Sequence, residues 1–212
     1  MPEIITLDPY RPDQSLIAEV GSILKKGGVI AFPTETFYGL GTDGDNEEAI
    51  EKIYTIKGRS FDKPIPIIIG QRRYINKYAN SIPKAGKKLM DRFWPGGLTL
   101  LLPVSPHIPR KLTAGSGKIG IRLSSNMIAT GLANTLSGAL TATSANISGE
   151  KECSTVYEVV GSLGDTIDLY IDGGRTPGGK GSTIVDVTVD PPVIIRKGVI
   201  PSKLIIDTLR QT

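Results

Sequence analysis

Only one cysteine, Cys153, and one histidine, His107, occur in the 212 residues. A lone thiol closes no disulfide within the chain and founds no cysteine-built zinc site. A lone histidine leaves no two-histidine metal site. His107 also lies between Pro106 and Ile108, and a turn or surface position suits it better than catalysis, which needs a partnered histidine. Aromatic residues make up 6% of the chain, without the aromatic and basic interleaving of single-strand RNA platforms. Long apolar runs are missing too. Leu98 to Val104 is far too short to cross a bilayer. The start, Met1-Pro2-Glu3-Ile4-Ile5, has neither the basic residues nor the apolar run of a signal peptide. A soluble, cytoplasmic protein is expected.

What is present is ordinary for a globular protein: 39% hydrophobic and 22% charged residues. A chain of this length buries roughly 70% of its unfolded surface, so a core forms without metal or disulfide staples. One domain over residues 1–212 is the economical reading. Twenty-five Lys and Arg against 21 Asp and Glu give a net charge of +4. That mild excess permits a local basic pocket for a phosphorylated ligand and does not by itself indicate a nucleic-acid binder.

Helical spacing of Leu16, Val20, Ile23 and Leu24 predicts a helix from Ser15 to Lys26, stopped by Gly27-Gly28. Val29 to Phe32 reads as a buried strand, and Pro33 to Gly41 as a glycine-bearing loop. Phe37 and Tyr38 within it fit a core or a pocket wall. Asn46 caps a helix with Glu47 and Glu48 in its first turn, an apolar stripe of Ile50, Ile53 and Tyr54, and a stop at Gly58. Further helices are expected at Pro83 to Phe93, Asn126 to Leu136, Ser154 to Leu163 (capped by Ser154) and Pro201 to Leu209. Further strands are expected at Ile65 to Ile69, Leu98 to Leu102, Lys118 to Leu123, Leu140 to Thr143, Leu169 to Asp172, Ser182 to Val187 and Val193 to Arg196. Strands alternating with helices and then clustering imply an α/β fold on a twisted, mixed sheet with flanking helices.

Gly174-Arg175-Thr176-Pro177-Gly178-Gly179-Lys180-Gly181 nearly matches a phosphate-binding P-loop. Gly181 stands where that motif needs Ser or Thr, and the segment runs into a strand instead of opening a helix. It is a glycine-rich turn.

Three groups of residues draw attention. Lys57 lies seven residues after Ile50, on the apolar stripe of its helix, and Arg59 follows. Such a cation points into the interior or a pocket, or complements the helix dipole. Arg122 alternates out from a strand whose other face, Ile119, Ile121 and Leu123, is apolar, with Lys118 on its own side. This is solvent exposure on an open sheet, or a carboxylate or phosphate clamp in a concave site. Leu140-Thr141-Ala142-Thr143-Ser144-Ala145-Asn146 carries a strand into small hydroxyl and amide residues. There Ser144 and Asn146 face a ligand or cap a turn.

Together these segments resemble the YrdC-like family of threonylcarbamoyl-AMP synthases. Lys57-Gly58-Arg59 and Ser144-Ala145-Asn146 are similar to its KxR and SxN signature pair. Pro33-Thr34-Glu35-Thr36-Phe37-Tyr38-Gly39-Leu40 resembles its PTETxYGLG loop, and Phe93-Trp94-Pro95-Gly96-Gly97-Leu98-Thr99 its WPGPLT segment. Gly120-Ile121-Arg122, Gly181 to Asp186 and Ile195-Arg196-Lys197-Gly198 also fit. The matches keep the family's order over about residues 28 to 200, within a motif-bearing core of about 15 to 200. Departures are Ser60 after the KxR arginine, no polar residue in Ile65-Pro66-Ile67-Ile68-Ile69, and Gly97 for a proline. The chain stops short of the C-terminal domain of long members, so the short form is expected.

The resemblance implies a concave basic pocket and an enzyme that joins L-threonine, bicarbonate or CO2, and ATP into threonylcarbamoyl-AMP with release of pyrophosphate. Mg2+ would come on the nucleotide's phosphates. A partner tRNA-modifying threonylcarbamoyl transferase would move the group to adenosine 37 of tRNAs reading codons that begin with A. Lys57, Arg59, Lys63, Lys118, Ser144, Asn146 and Arg196 would serve ATP, with Lys57, Arg59, Ser144 and Asn146 the catalytic set. Thr36, Arg122, Ala142 and Ser182 would serve threonine. The resemblance leaves open direct binding of tRNA or double-stranded RNA, and a monomeric or dimeric state. Alternatives are a paralogue that binds RNA or takes another amino acid, and the carbamoyl-transfer relatives in hydrogenase maturation.

Overall fold

The structure, a computed structural model, describes residues 2–211. In chain order its elements are β1 (Ile4–Thr6), α1 (Gln14–Lys25), β2 (Ile30–Phe32), β3 (Gly39–Gly41), α2 (Glu47–Lys57), β4 (Ile67–Ile69), α3 (Ile75–Tyr78), α4 (Lys84–Phe93) and β5 (Leu98–Pro103). There follow α5 (Arg110–Thr113), β6 (Lys118–Arg122), α6 (Met127–Thr135), β7 (Ala139–Thr141), β8 (Thr143–Ser144), α7 (Val156–Leu163), β9 (Leu169–Asp172), β10 (Thr183–Asp186), β11 (Val193–Arg196) and α8 (Ser202–Arg210).

The one mixed sheet expected from the sequence is two. One has five strands in the order β1-β9-β2-β3-β8, the other six in the order β11-β10-β5-β6-β4-β7. Both mix parallel and antiparallel pairs: β4 runs parallel to β6 and antiparallel to β7, and β2 parallel to β9 and antiparallel to β3. The division falls at Ala142. The expected strand Leu140 to Thr143 breaks there, β7 pairing with β4 and β8 with β3. β3 falls within the loop expected from the sequence, because Gly39-Leu40-Gly41 carries too little strand-forming side chain to signal a strand locally. It exists because Phe32 and Ser144 flank it as pairing partners.

Strand alternation sorts the apolar residues between two cores. Ile67 and Ile69 of β4 face a core that also holds Ala31, Tyr38, Tyr54 and Tyr170. Ile68 faces the other, with Ile30, Phe32, Leu169, Ile171 and residues of α1 and α6. All three β4 isoleucines are fully buried, each stabilising the fold by about 1.5–3 kcal/mol. This is why β4 reads as an unbroken apolar run.

The helices obey their local signals. Asp13 accepts from Ser15 N at 2.8 Å to open α1, and Asn46 accepts from Ala49 N at 3.0 Å to open α2. Gly58 ends α2 in the left-handed region, at φ +55, where glycine alone adds no strain. Helix α7 is capped by Thr155, one residue after the expected Ser154; Ser154 N instead donates to Glu158 Oε2 at 2.6 Å. No helix of the described residues is long and apolar enough to cross a membrane.

Where the sheets meet, Thr42 N donates to Thr141 Oγ1 and Thr141 N to Thr42 O, each at 2.9 Å. Gly41 is pressed into this seam: a Cβ there would stand 2.4 Å from Thr141 O and 2.7 Å from Phe32 Cε1. Gly41→Ala is expected to lower stability by about 1–3 kcal/mol through overpacking, read as a shifted urea midpoint at unchanged slope. A midpoint equal to the parent's would show that the seam relaxes freely.

Candidate functional site

A cleft of about 210 Å³ opens at the seam, lined from both sheets. Gly39, Thr143 and Ser144 come from the five-stranded sheet, and Ile67, Thr99, Arg122, Ile184 and Arg196 from the six-stranded one. Ala142, the crossing residue, lies between them, and the loop residues Thr34, Thr36, Phe37 and Tyr38 close one side. Its charged lining is three arginines, Arg59, Arg122 and Arg196, and one carboxylate, Glu152. A cleft so charged favours anionic ligands.

Arg122 is the most telling of these. It is 7% exposed, at the end of β6, where pairing with Ile68 fixes its backbone. Its Nη1 lies 3.1 Å from Glu35 Oε1. Among the described residues that is its one polar tie to the protein, although a guanidinium carries five donors. The rest remain for a ligand. Arg59 is anchored differently, donating from Nη2 to Pro64 O at 3.0 Å and from Nε to Lys63 O at 3.3 Å. Burial pushes its pKa below the ordinary arginine value. Arg196 grips Ser182, Nε to the carbonyl at 3.0 Å and Nη2 to Oγ at 2.8 Å. Ser182 Oγ in turn lies 2.9 Å from Thr99 Oγ1, so β5, β10 and β11 are tied together at the cleft wall.

The loop before β3 is held by its own hydroxyls. Thr34 Oγ1 donates to Phe37 O at 2.7 Å and accepts from Thr36 N at 3.1 Å. Tyr38 OH donates to Gly174 O at 2.8 Å and accepts from Gly173 N at 3.3 Å, and burial raises its pKa to about 12. The glycine-rich segment therefore buttresses the loop, Gly178 N donating to Thr36 O at 2.8 Å, and then enters β10. It is no P-loop.

Four residues expected at the cleft lie outside its lining. Lys57 points inward, one of the alternatives that its place on the stripe leaves open, and is 1% exposed. Its Nζ donates to Ser144 O, to Asn146 O at 2.5 Å and to Asn146 Oδ1 at 3.2 Å. Burial, then the charge of Arg59, lowers its pKa to about 8. Three oxygens thus take up the three ammonium protons, and Lys57 shapes the Ser144 to Asn146 turn. Asn146 is buried behind that turn, its Nδ2 donating to Glu150 O at 2.7 Å. Lys63 is exposed. Lys118 is paired with Asp186 at 2.6 Å. Burial pushes the Asp186 pKa up, but hydrogen bonds from Lys118 and Thr188 outweigh it and leave the carboxyl below its ordinary value. Thr36, Arg59, Arg122, Ala142, Ser144, Ser182 and Arg196 all line the cleft. Neither Glu35 nor Glu152 is among the site residues expected from the sequence; the one available signal is the lone carboxylate between the threonines of the Pro33 to Leu40 loop. His107 is exposed, as its flanking proline suggested.

A sequence model of the family described as Telomere recombination, named for Sua5, YciO and YrdC, matches residues 22–198. The chain belongs to the Sua5/YciO/YrdC family. Among family members it is similar to the threonylcarbamoyl-AMP synthase of Pyrococcus abyssi, 37% identical over 191 residues, covering 90% of this chain and 56% of that protein. The putative threonylcarbamoyl-AMP synthase of Methanocaldococcus jannaschii is 38% identical over 196 residues, 91% of this chain and 92% of that one. The crystal structure of P. abyssi Sua5 complexed with L-threonine superposes with a TM-score of 0.93 at 36% identity, over 97% of this chain and 60% of that one. The chain thus spans little more than half of the P. abyssi family member and nearly all of the M. jannaschii one.

Replacing Lys57 by Met keeps the shape of the stem and strands the oxygens of Ser144 and Asn146. Stability is expected to fall by about 2–4 kcal/mol, the cost of breaking a buried charged network, in chemical denaturation. A loss under 1 kcal/mol would show that the turn holds without the ammonium.

Proposed function

We propose that this chain makes threonylcarbamoyl-AMP from L-threonine, bicarbonate or CO2, and ATP, releasing pyrophosphate. The observation that carries the reading is Arg122: buried, ion-paired to one carboxylate, and otherwise unused at the wall of a cleft with two more arginines. Relatives named for this product, one of them solved with L-threonine, support it.

The chemistry suits the donors. The threonine amine attacks CO2, forming a C–N bond and losing a proton, to give a carbamate. A carbamate oxygen then attacks the α-phosphorus of ATP, and the bond to the β-phosphate oxygen breaks as pyrophosphate leaves. This is adenylyl transfer. Both partners are anions, so the protein's task is to hold them together against repulsion and stabilise charge on the phosphorus oxygens. No covalent protein nucleophile is needed, in keeping with a lone exposed histidine.

In this reading Arg122 clamps the threonine carboxylate through the paired donors of its free edge. Thr36 and Ser182 stand near with hydroxyls, and Ala142 forms the floor where the chain crosses between sheets. Arg59, Arg196 and Ser144 meet the nucleotide. Lys57 and Asn146 act behind Ser144 by fixing its turn. Lys63 is exposed outside the lining, and Lys118 braces Asp186, also outside it. Among the described residues no group of three His, Cys, Asp or Glu side chains could hold a metal, and Glu152 is the single carboxylate of the lining. That donor set fits Mg2+ carried in on ATP, because this ion keeps its waters and takes ligands from phosphates plus one or two carboxylates. Bound there, it would neutralise phosphate charge. The product would pass in the cytoplasm to the transferase that modifies adenosine 37 of tRNA.

Pyrophosphate release should require L-threonine, bicarbonate and ATP together; release that ignores threonine or bicarbonate would overturn the reading. Arg122→Ala is expected to raise the threonine KM about a hundredfold, as loss of a buried charge-paired contact does, with the ATP KM moved far less. Equal rises for both substrates would remove Arg122 from the threonine side.

A further inference from the structure

Thr34 and Thr36 line the cleft, while Glu35 between them is not in its lining. The hydroxyl-braced turn leaves Glu35 outside the lining and beside Arg122. Its side chain is 14% exposed, and its Oε1 is 3.1 Å from Arg122 Nη1. The contact is an ion pair out of line for a hydrogen bond, for Oε1 is buried and accepts none. The other oxygen is fixed. Ser124 Oγ hydrogen-bonds Glu35 Oε2, and Ser124 Oγ also accepts from Asn126 N at 3.1 Å. A hydroxyl has one proton, so with Asn126 donating to it, Ser124 turns that proton to Glu35. Asn126 is itself the cap of α6, accepting from Ile128 N at 3.0 Å and Ala129 N at 3.1 Å. A continuous path therefore runs from the start of α6 through Ser124 and Glu35 to Arg122.

A guanidinium on a long flexible stem, with no hydrogen bond to the protein, has its donor directions set by packing and by this ion pair. We propose that Glu35 is the positioning residue that aims Arg122: it holds Nη1 from outside the cleft lining so that the other donors meet the substrate carboxylate in the cleft. The inference rests on the reading of Arg122 as the threonine clamp. Glu35 touches no substrate. It keeps the clamp in one orientation, and Ser124 keeps Glu35 in place. Removing the carboxylate frees the guanidinium to swing toward other anions of the cleft, Glu152 and the nucleotide phosphates, away from threonine.

The test is a double-mutant cycle on pyrophosphate release, with Glu35→Gln, Arg122→Lys and both together. Glu35→Gln is expected to raise the threonine KM about ten- to a hundredfold, the usual scale for a misplaced binding group, with kcat and the ATP KM within about twofold. In the Arg122→Lys background the same change should alter kcat/KM for threonine by less than about twofold, because groups acting through one another are not additive. Should Glu35→Gln fail to fold, Ser124→Ala leaves both charges in place and should still raise the threonine KM severalfold. A threonine KM unchanged or lowered in the folded Glu35 variant, or in its Ser124 substitute, overturns the proposal, as does a full effect in the Arg122→Lys background. If Arg122→Lys itself leaves the threonine KM unmoved, the clamp reading fails and the Glu35 proposal with it; if only Glu35→Gln is silent, the clamp stands and Glu35 is a structural counter-ion.

Discussion

The passage of the chain from one sheet to the other at Ala142 governs most of what this molecule does. Thr141 ends a strand of the six-stranded sheet and Thr143 begins one of the five-stranded sheet. The crossing is pinned by Thr42 on one side, and by Ala142 N donating to Pro66 O at 2.8 Å on the other. Two sheets forced together at one residue cannot fill the wedge they leave open. That wedge is the cleft, and its walls are the strand ends where side chains from separate parts of the chain converge. Gly41 is small because the seam leaves room for nothing larger.

Electrostatics then divides the cations into two classes. Lys57 is used up by the protein, by three oxygens of the Ser144 to Asn146 turn, and Lys118 is held outside the cleft lining by Asp186. Each orders a segment that builds the wall. Arg59 and Arg196 use part of their donor set on carbonyls and Ser182, which fixes them, and keep the remainder for the cleft. Arg122 keeps nearly all of it. A planar guanidinium can be gripped on one edge and still bind with another. An ammonium surrounded by three acceptors has nothing left. The division of labour between Lys57 and the arginines follows from that geometry.

Charge in the cleft is also tempered from behind. Glu35 sits in the hydroxyl-braced loop with Ser124 and the cap of α6 at its back, so a loop, a strand end and a helix start converge on one guanidinium. A rigid anion-binding site gains from such backing, because packing alone does not fix which way a guanidinium's donors face.

Local rules made several features legible in the sequence by itself. Asn46, Gly58 and the spacing of Ile50, Ile53 and Tyr54 determined α2 to the residue, and the same spacing put Lys57 on the apolar stripe without deciding whether it pointed inward or served the helix dipole. Alternation in Lys118 to Leu123 and the unbroken run at Ile65 to Ile69 determined two central strands, though Ile65 and Pro66 precede the pairing. The ordered segments from Pro33 to Gly198 determined the family. Tertiary structure alone decided that the sheet is two, that Gly39 to Gly41 is a strand, and which cations are free. The physical reason is distance along the chain. Lys57 meets Ser144 and Asn146 across 87 and 89 residues, and Lys118 meets Asp186 across 68. Periodicity fixes the direction in which a side chain leaves its backbone; what waits there for its charge is set by strands paired from elsewhere.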